Sequence, residues 1–133
     1  MVEKTHNVTI VDLTPEIAMQ MVHDMREMDR IEYRAMTQGA PLYLGMLHMQ
    51  RNSEIAKAAF VDGKLLCCWG RLRRTVLSDE CCPWMVATDL IETRLGRRAF
   101  LLHFRIWFER LIAGFSRSWN IVYEENKLTV RWL

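Results

Sequence analysis

The sequence predicts an α+β fold in which helices cover a mixed β-sheet. A short strand and two helical patterns come first, three β-rich segments joined by short turns occupy the middle, and a long apolar helix pattern follows. Consecutive strands with short connections form an antiparallel meander, and a broad apolar helix face requires a sheet to cover it. Half of the 133 residues are hydrophobic, which suits one core, so we expect a single domain over residues 1–133.

The first elements are a strand and a helix. Residues 8–11 are all β-branched, which favours a strand that ends at Asp12. Thr14 is a typical N-cap, and Pro15 suits the first helical position. The apolar residues that follow at a spacing near four are Ile17, Met21, Met25 and Met28. This spacing predicts one helix from residue 15 to about residue 33.

A second, shorter helix completes the N-terminal part. Residues 39–41 (Gly-Ala-Pro) break the chain, and residues 42–51 predict a helix with Leu44 and Leu47 on its inward side. Six of the nine methionines lie in these two predicted helices. Methionine at helical spacing fills cores, which is the interpretation that we favour, but it also lines adaptable binding grooves.

The middle of the chain predicts three strands. Residues 55–61, 64–71 and 81–87 are rich in apolar and β-branched side chains. Asp62-Gly63 between the first two is a strong hairpin signal, and residues 78–80 (Ser-Asp-Glu) form a second turn. These turns are short enough to keep successive strands antiparallel.

The four cysteines form two adjacent pairs, Cys67–Cys68 and Cys81–Cys82. Neighbouring residues on a strand point to opposite faces, so neither pair supplies two ligands to one metal, and the four histidines have no paired spacing. We therefore expect no metal site. We favour buried free thiols, with a cross-strand Cys67–Cys82 or Cys68–Cys81 disulfide as the alternative.

A basic turn opens the longest helix pattern. The turn contains Arg94, Gly96, Arg97 and Arg98, and residues 96–115 continue as a helix with a broad apolar stripe. Backbone N–H groups at the start of a helix, together with arginines, can hold phosphate groups. The turn is therefore a candidate site for a nucleotide-like ligand.

Charge and hydropathy exclude several classes of partner. The net charge of +2 is too small to indicate nucleic acid. No N-terminal segment has the pattern of a signal peptide, and no uncharged apolar run approaches the roughly 18 residues of a membrane span. Residues 94–133 hold eight basic and three acidic side chains, against four and seven in residues 1–34, so the C-terminal part would face an anion. We expect a protein that is intracellular or carried inside a particle.

After the long helix, residues 121–123 predict a strand and Asn126 caps a final helix. The whole order of elements, and above all residues 120–133 (NIVYEENKLTVRWL), resembles the GNAT N-acetyltransferase superfamily. The resemblance implies a GNAT-like mixed sheet with an N-terminal strand, two helices, an antiparallel meander, a long helix, a strand and a C-terminal helix. It also implies that the last meander strand lies beside acetyl-CoA. The coenzyme-binding residues that it implies are Arg94, Gly96, Arg97, Arg98 and Asn126.

Two segments carry a narrower resemblance. PWMVATDLIETRLGRRAFL (residues 83–101) and WNIVYEENKLTVRWL (residues 119–133) together resemble small acetyltransferase-like internal virion proteins of short-tailed bacteriophages. This resemblance implies a protein of the virion or of the host cytoplasm, with other phage or host proteins as partners.

The sequence departs from the superfamily at positions that carry its chemistry. The superfamily's pyrophosphate turn reads Gln/Arg-x-x-Gly-x-Gly/Ala, and anchoring it on Gly96 places Thr93 first and Arg98 last. Leu133 stands where the superfamily often has a Tyr general acid. The nearest candidate base is Asp89, a residue type that more often closes a turn or caps a helix.

Two hypotheses follow from these departures. In the first, which we favour, the chain is a catalytically degenerate GNAT-like protein without a cofactor. It would act in assembly through Arg71, Arg73, Arg74, Trp119 and Trp132. In the second, it is an acetyl-CoA-dependent N-acetyltransferase for a protein or small-molecule amine. Because the superfamily continues past its last helix into closing strands, we expect that such strands lie outside this sequence or that another chain completes the sheet.

Overall fold

Five strands and four α-helices make up the part of the chain that the computed structural model describes, residues 7–73 and 79–118. In chain order these elements are β1 (Val8–Asp12), α1 (Pro15–Asp24), α2 (Glu27–Thr37), α3 (Leu42–Asn52), β2 (Ile55–Val61), β3 (Lys64–Arg73), β4 (Glu80–Ala87), a 3₁₀ turn (Asp89–Glu92), α4 (Arg94–Ile112) and β5 (Arg117–Ser118).

All five strands belong to one sheet, in the order β1-β2-β3-β4-β5. Strands β1 to β4 are antiparallel, whereas β5 runs parallel to β4 and pairs with its first residues, Glu80 and Cys81. The hairpin between β2 and β3 turns at Asp62 and Gly63, whose φ angles are 51° and 81°, as the Asp-Gly sequence predicts. The predicted α+β architecture with its meander is confirmed, and among the described residues the sheet does not close.

Helices cover both faces of this sheet. Helices α1 and α3 pack against each other on one face, where Met21, Met25 and Met46 are buried in the core. Helix α4 lies on the other face and contributes Phe100 and Leu111 to a second core cluster. The three buried methionines confirm core filling at their positions.

The prediction of one long first helix is wrong, because the chain bends between α1 and α2. Met25 and Arg26 leave the helical conformation, with ψ angles of 135° and 150°, and Met25 forms an isolated β-bridge with Thr88. The Arg30 side chain then donates hydrogen bonds to the carbonyls of Val22, His23 and Met25 at 2.5, 2.8 and 3.0 Å. These bonds satisfy carbonyls that the end of α1 leaves without helical partners.

Two further helix details differ from the predictions. Leu44 was expected inward but is 54% exposed, because packing against α1 buries Met46 on the opposite side of α3 instead. Helix α4 begins at Arg94, two residues before the predicted start, because the Thr93 hydroxyl caps it by accepting a hydrogen bond from the Gly96 N–H. It ends at Ile112.

The cysteines are free thiols, so the disulfide alternative is wrong. Cys67 lies opposite Ala87 in the register of β3 and β4, and Cys82 lies opposite Leu72. Both proposed pairs are therefore several residues out of register, too far apart for the short Cβ separation that a disulfide requires.

Several predicted features lie outside the described residues: Arg74, the strand at 121–123, Trp119, Asn126, Trp132 and Leu133. Within the described ranges, no helix combines the length and the apolar character of a membrane span. The same ranges contain no group of three or more His, Cys, Asp or Glu side chains arranged to hold a metal ion.

Candidate functional site at the end of strand β4

The end of β4 is bonded to the start of α2. The Thr88 N–H donates to the Leu66 carbonyl of β3 at 3.0 Å, so by alternation along the strand the N–H and C=O of Ala87 point to the opposite edge, the side on which β5 lies. The Arg26 N–H donates to the Ala87 carbonyl at 2.9 Å, and the Ala87 N–H donates to Asp29 Oδ2 at 2.8 Å. Both backbone groups of Ala87 on this edge are thus occupied by the chain itself.

A buried ion pair holds this contact in place. Arg26 and Asp29 are only 3% and 7% exposed, and Arg26 Nη2 donates to Asp29 Oδ1 at 2.9 Å. A weaker contact of 3.4 Å joins Arg26 Nη1 to Glu92 at the end of the 3₁₀ turn. Burial by itself would lower the pKa of Arg26, but the hydrogen bonds and charges of Asp29 and Glu92 outweigh it and raise that pKa. The guanidinium therefore stays charged, and it depends on Asp29 for compensation.

The first turn of α4 is also bonded internally. The Thr93 hydroxyl donates to the Leu90 carbonyl at 2.6 Å and accepts from the Gly96 N–H at 3.1 Å. The Arg97 N–H donates to the Thr93 carbonyl at 2.9 Å. Two backbone N–H groups of the predicted phosphate turn are therefore already paired.

Gly96 makes room for the chain's own backbone. A Cβ atom on this residue would lie 1.9 Å from the Leu90 carbonyl oxygen and 2.6 Å from its carbon. The absence of a side chain thus lets α4 pack on the 3₁₀ turn, which fills the space that a phosphate-binding glycine keeps open for its ligand.

The structure brings four of the five predicted coenzyme-binding residues together. Arg94, Arg97 and Arg98 are exposed on the first two turns of α4, and Gly96 is buried beneath them. Asn126 lies outside the described residues. That these residues hold a phosphate stays a prediction. Asp89, the candidate base, is exposed in the 3₁₀ turn.

Sequence reasoning missed Arg26 and Asp29. Both lie in a stretch with alternating charges, DMREMDR, which on a helix usually indicates a solvated face. The partner that buries them, Ala87, is 58 residues from Asp29 along the chain, and no local pattern points to it.

The arginines at the end of β3 are used inside the molecule. Arg71 and Arg73 both contact the Glu54 carboxylate, at 3.4 and 2.9 Å, and both guanidinium groups lie over the Phe115 ring, at 4.6 and 4.7 Å from its centre. Arg71 Nη1 also donates to the Leu111 carbonyl at the end of α4, at 2.8 Å. These contacts fasten the segment after α4 to the sheet and leave Arg71 and Arg73 poorly placed to meet another protein.

The thiols are poor nucleophiles, and this gives a testable prediction. Burial raises the pKa of Cys68 to about 12 and raises the pKa of Cys67, Cys81 and Cys82 as well. We expect iodoacetamide to modify the folded chain slowly at about pH 8 and the urea-unfolded chain rapidly, by mass spectrometry, because the thiolate is the reactive form. Rapid modification of Cys67 or Cys68 in the folded chain would contradict the prediction of slow alkylation.

The same pKa shifts predict how stability depends on pH. Because the thiols of the unfolded chain ionise at a lower pH than those of the folded chain, the free energy of unfolding should fall as the pH rises above about 8.5.

Comparison with known proteins decides the fold. No protein-family model matches the sequence, and no curated protein is detectably similar to it. Among solved structures, a proposed acetyltransferase belonging to the GNAT family from Xanthomonas campestris is 15% identical, with a TM-score of 0.54 over 95% of this chain and 82% of that one. The fold is that of the GNAT acetyltransferases.

Two further GNAT-fold matches agree. The PaiA N-acetyltransferase from Thermoplasma acidophilum, solved in complex with coenzyme A, is 13% identical, with a TM-score of 0.54 over 95% of this chain and 86% of that one. A possible acetyltransferase from Clostridium difficile 630 is 13% identical, with a TM-score of 0.56 over 94% of this chain and 88% of that one. At such identities the similarity shows the GNAT fold alone. The narrower resemblance to phage proteins stays a prediction.

Proposed function

We propose that this chain is a GNAT-fold protein that does not transfer acyl groups and instead acts by assembling with other proteins. The observation that carries the proposal is the occupied edge of β4. In the superfamily that the sequence resembles, this strand runs beside acetyl-CoA. Here Arg26 and Asp29 take both outward backbone groups of Ala87.

The cost of opening this contact supports the proposal. A coenzyme that bonded to Ala87 would displace the Asp29 carboxylate and leave the buried Arg26 guanidinium without its main partner. Breaking a buried ion pair costs about 3–5 kcal/mol. That cost would weaken coenzyme binding by roughly a hundredfold to several thousandfold. The crowding of Gly96 by the Leu90 carbonyl acts in the same direction.

The described side chains also offer little chemistry beside Ala87. The four thiols are held protonated by burial, and Asp89 is an exposed residue of a 3₁₀ turn. By resemblance, Leu133 replaces the residue that would protonate a leaving thiolate. Each of these features favours a role without catalysis.

The biological setting is part of the same proposal. We propose the virion or the host cytoplasm as the location of the chain, and the support is the resemblance of residues 83–101 and 119–133 to internal virion proteins of short-tailed phages. Its partners would then be other phage proteins or host proteins.

One observation favours the alternative, an acetyl-CoA-dependent N-acetyltransferase acting on a protein or small-molecule amine. Arg94, Arg97 and Arg98 are exposed at the start of α4, and arginine side chains bind phosphates without help from the backbone. The similar PaiA structure contains coenzyme A. The residues around Ala87 and Gly96 do not fit that coenzyme as they stand.

Isothermal titration calorimetry with coenzyme A and acetyl-CoA tests the proposal. We expect no binding at submillimolar ligand and no thiol release from acetyl-CoA with a panel of amines, because the strand edge is occupied. Micromolar binding that Arg97→Glu abolishes would overturn the proposal. Arg110→Glu is the matched control, since it makes the same charge change near the other end of the same helix.

A further inference from the structure

The outer face of α4 exposes apolar side chains. Leu101, Leu102 and Ile106 are 55%, 68% and 53% exposed, although they lie in a helix whose other side is buried against the sheet. Leu102 and Ile106, four residues apart, are neighbours on successive turns, whereas Leu101 lies on the other side of a row formed by Arg98 and Arg105. Large apolar side chains at this exposure, on both sides of a charged row, favour coverage by a partner.

Positive charge lies between and around these apolar side chains. Five of the six Asp, Glu, Lys and Arg side chains on α4 are arginines, and the sixth is Glu109. The arginines are Arg94, Arg97, Arg98, Arg105 and Arg110, all exposed. Glu109 accepts a hydrogen bond from Arg105 at 3.3 Å, so the acid is compensated locally and the face stays basic. A partner for this face would carry acidic side chains together with apolar ones.

The opposite face of the same molecule has that chemistry. Helices α1 and α3 cover the other side of the sheet, and Met19, Tyr43 and Leu44 are 42%, 47% and 54% exposed on them. The exposed Asp, Glu, Lys and Arg side chains of α1 and of the first turn of α2 are all acidic: Glu16, Asp24 and Glu27. Helix α3 adds one exposed base, Arg51, so acids outnumber bases three to one on this face.

We propose that the α4 face binds the face formed by α1, α3 and the first turn of α2 on a second copy of this chain. The two faces lie on opposite sides of the sheet, so the contact is head-to-tail and repeats from copy to copy as a ring or a chain. The inference names one partner for the assembly role proposed above. It does not depend on the bonds at Ala87, because neither face includes that residue.

Sedimentation velocity over a range of concentrations tests the contact. We expect larger species at low salt and their loss at high salt, because exposed charges of opposite sign attract less when screened. Leu102→Glu places an acid on the α4 face and Met19→Lys places a base on the α1 face, and each should weaken association by at least about tenfold. Lys64→Gln, at the exposed β2–β3 turn, changes the net charge as Leu102→Glu does and should leave association unchanged.

Mixing the two variants identifies the geometry. Each variant keeps one intact face, so the mixture should form complexes that contain both chains although neither associates alone. Association of Met19→Lys by itself would indicate that two α4 faces meet, and it would overturn the head-to-tail contact. A monomeric wild-type chain at low salt would overturn the inference, and more so if the chain then bound anionic vesicles or duplex nucleic acid. Circular dichroism checks that both variants are folded, and the coenzyme titration reports separately on the β4 edge.

Discussion

Replacing Asp29 with alanine should lower the free energy of unfolding by about 3–5 kcal/mol. The carboxylate compensates the buried Arg26 through Oδ1 and accepts the Ala87 N–H through Oδ2, so its loss leaves a buried charge and a backbone donor without partners. Urea denaturation followed by tryptophan fluorescence measures the change. The effect is large because both groups lie where water does not reach them.

Two variants separate the charge from the hydrogen bond. Asp29→Asn keeps an acceptor for the Ala87 N–H but removes the charge that faces Arg26, so its loss of stability should be smaller than that of Asp29→Ala and still clear. Asp24→Ala removes an exposed carboxylate on the preceding helix and should change stability by less than about 0.5 kcal/mol. If Asp29→Ala were as mild as Asp24→Ala, the ion pair would not hold α2 to β4.

Replacing Gly96 with alanine should destabilise the fold by about 2–3 kcal/mol. In an ordinary helix this substitution is favourable by about 1 kcal/mol, so the expected sign is reversed. The reason is the Leu90 carbonyl, which lies 1.9 Å from the position of the new Cβ atom and belongs to backbone that must move as a unit. The same denaturation experiment measures the effect.

Gly45→Ala is the matched control for this prediction. Gly45 also lies within a helix, but the atoms nearest to its added Cβ belong to the Tyr33 side chain, which can rotate away. We expect a smaller loss at Gly45 than at Gly96. A stabilised Gly96→Ala variant would show that the 3₁₀ turn yields easily, and it would reopen the turn as a phosphate site.

The parts of the fold that sequence predicts are those with local causes. Thr14 caps α1 with its own hydroxyl, and Asp62-Gly63 turns the hairpin with its own backbone freedom. The apolar stripe of α4 needs only its spacing to indicate a helix that packs on a sheet. The order of these elements is what resembles the GNAT superfamily, and the solved structures confirm that fold.

The parts that sequence misses depend on distant contacts. The apolar spacing of residues 17–28 continues across the bend between α1 and α2, so it cannot show that Met25 bridges to Thr88. The inward side of α3 depends on where α1 lies, which is why the sequence of α3 predicts the wrong side for Leu44. Likewise the basic start of α4 was predictable from its arginines, whereas the burial of Arg26 and Asp29 requires the end of a strand dozens of residues away.

The bonds at Ala87 also protect the protein from fibre-like aggregation. An open sheet edge recruits strands from other molecules through its unused donors and acceptors. By alternation, Pro83 faces the same edge of β4 as Ala87, and proline has no N–H to offer. With Ala87 covered by α2, two of the three outward-facing residues between positions 83 and 87 offer an incoming strand no N–H donor. This disfavours the addition of a strand at this edge.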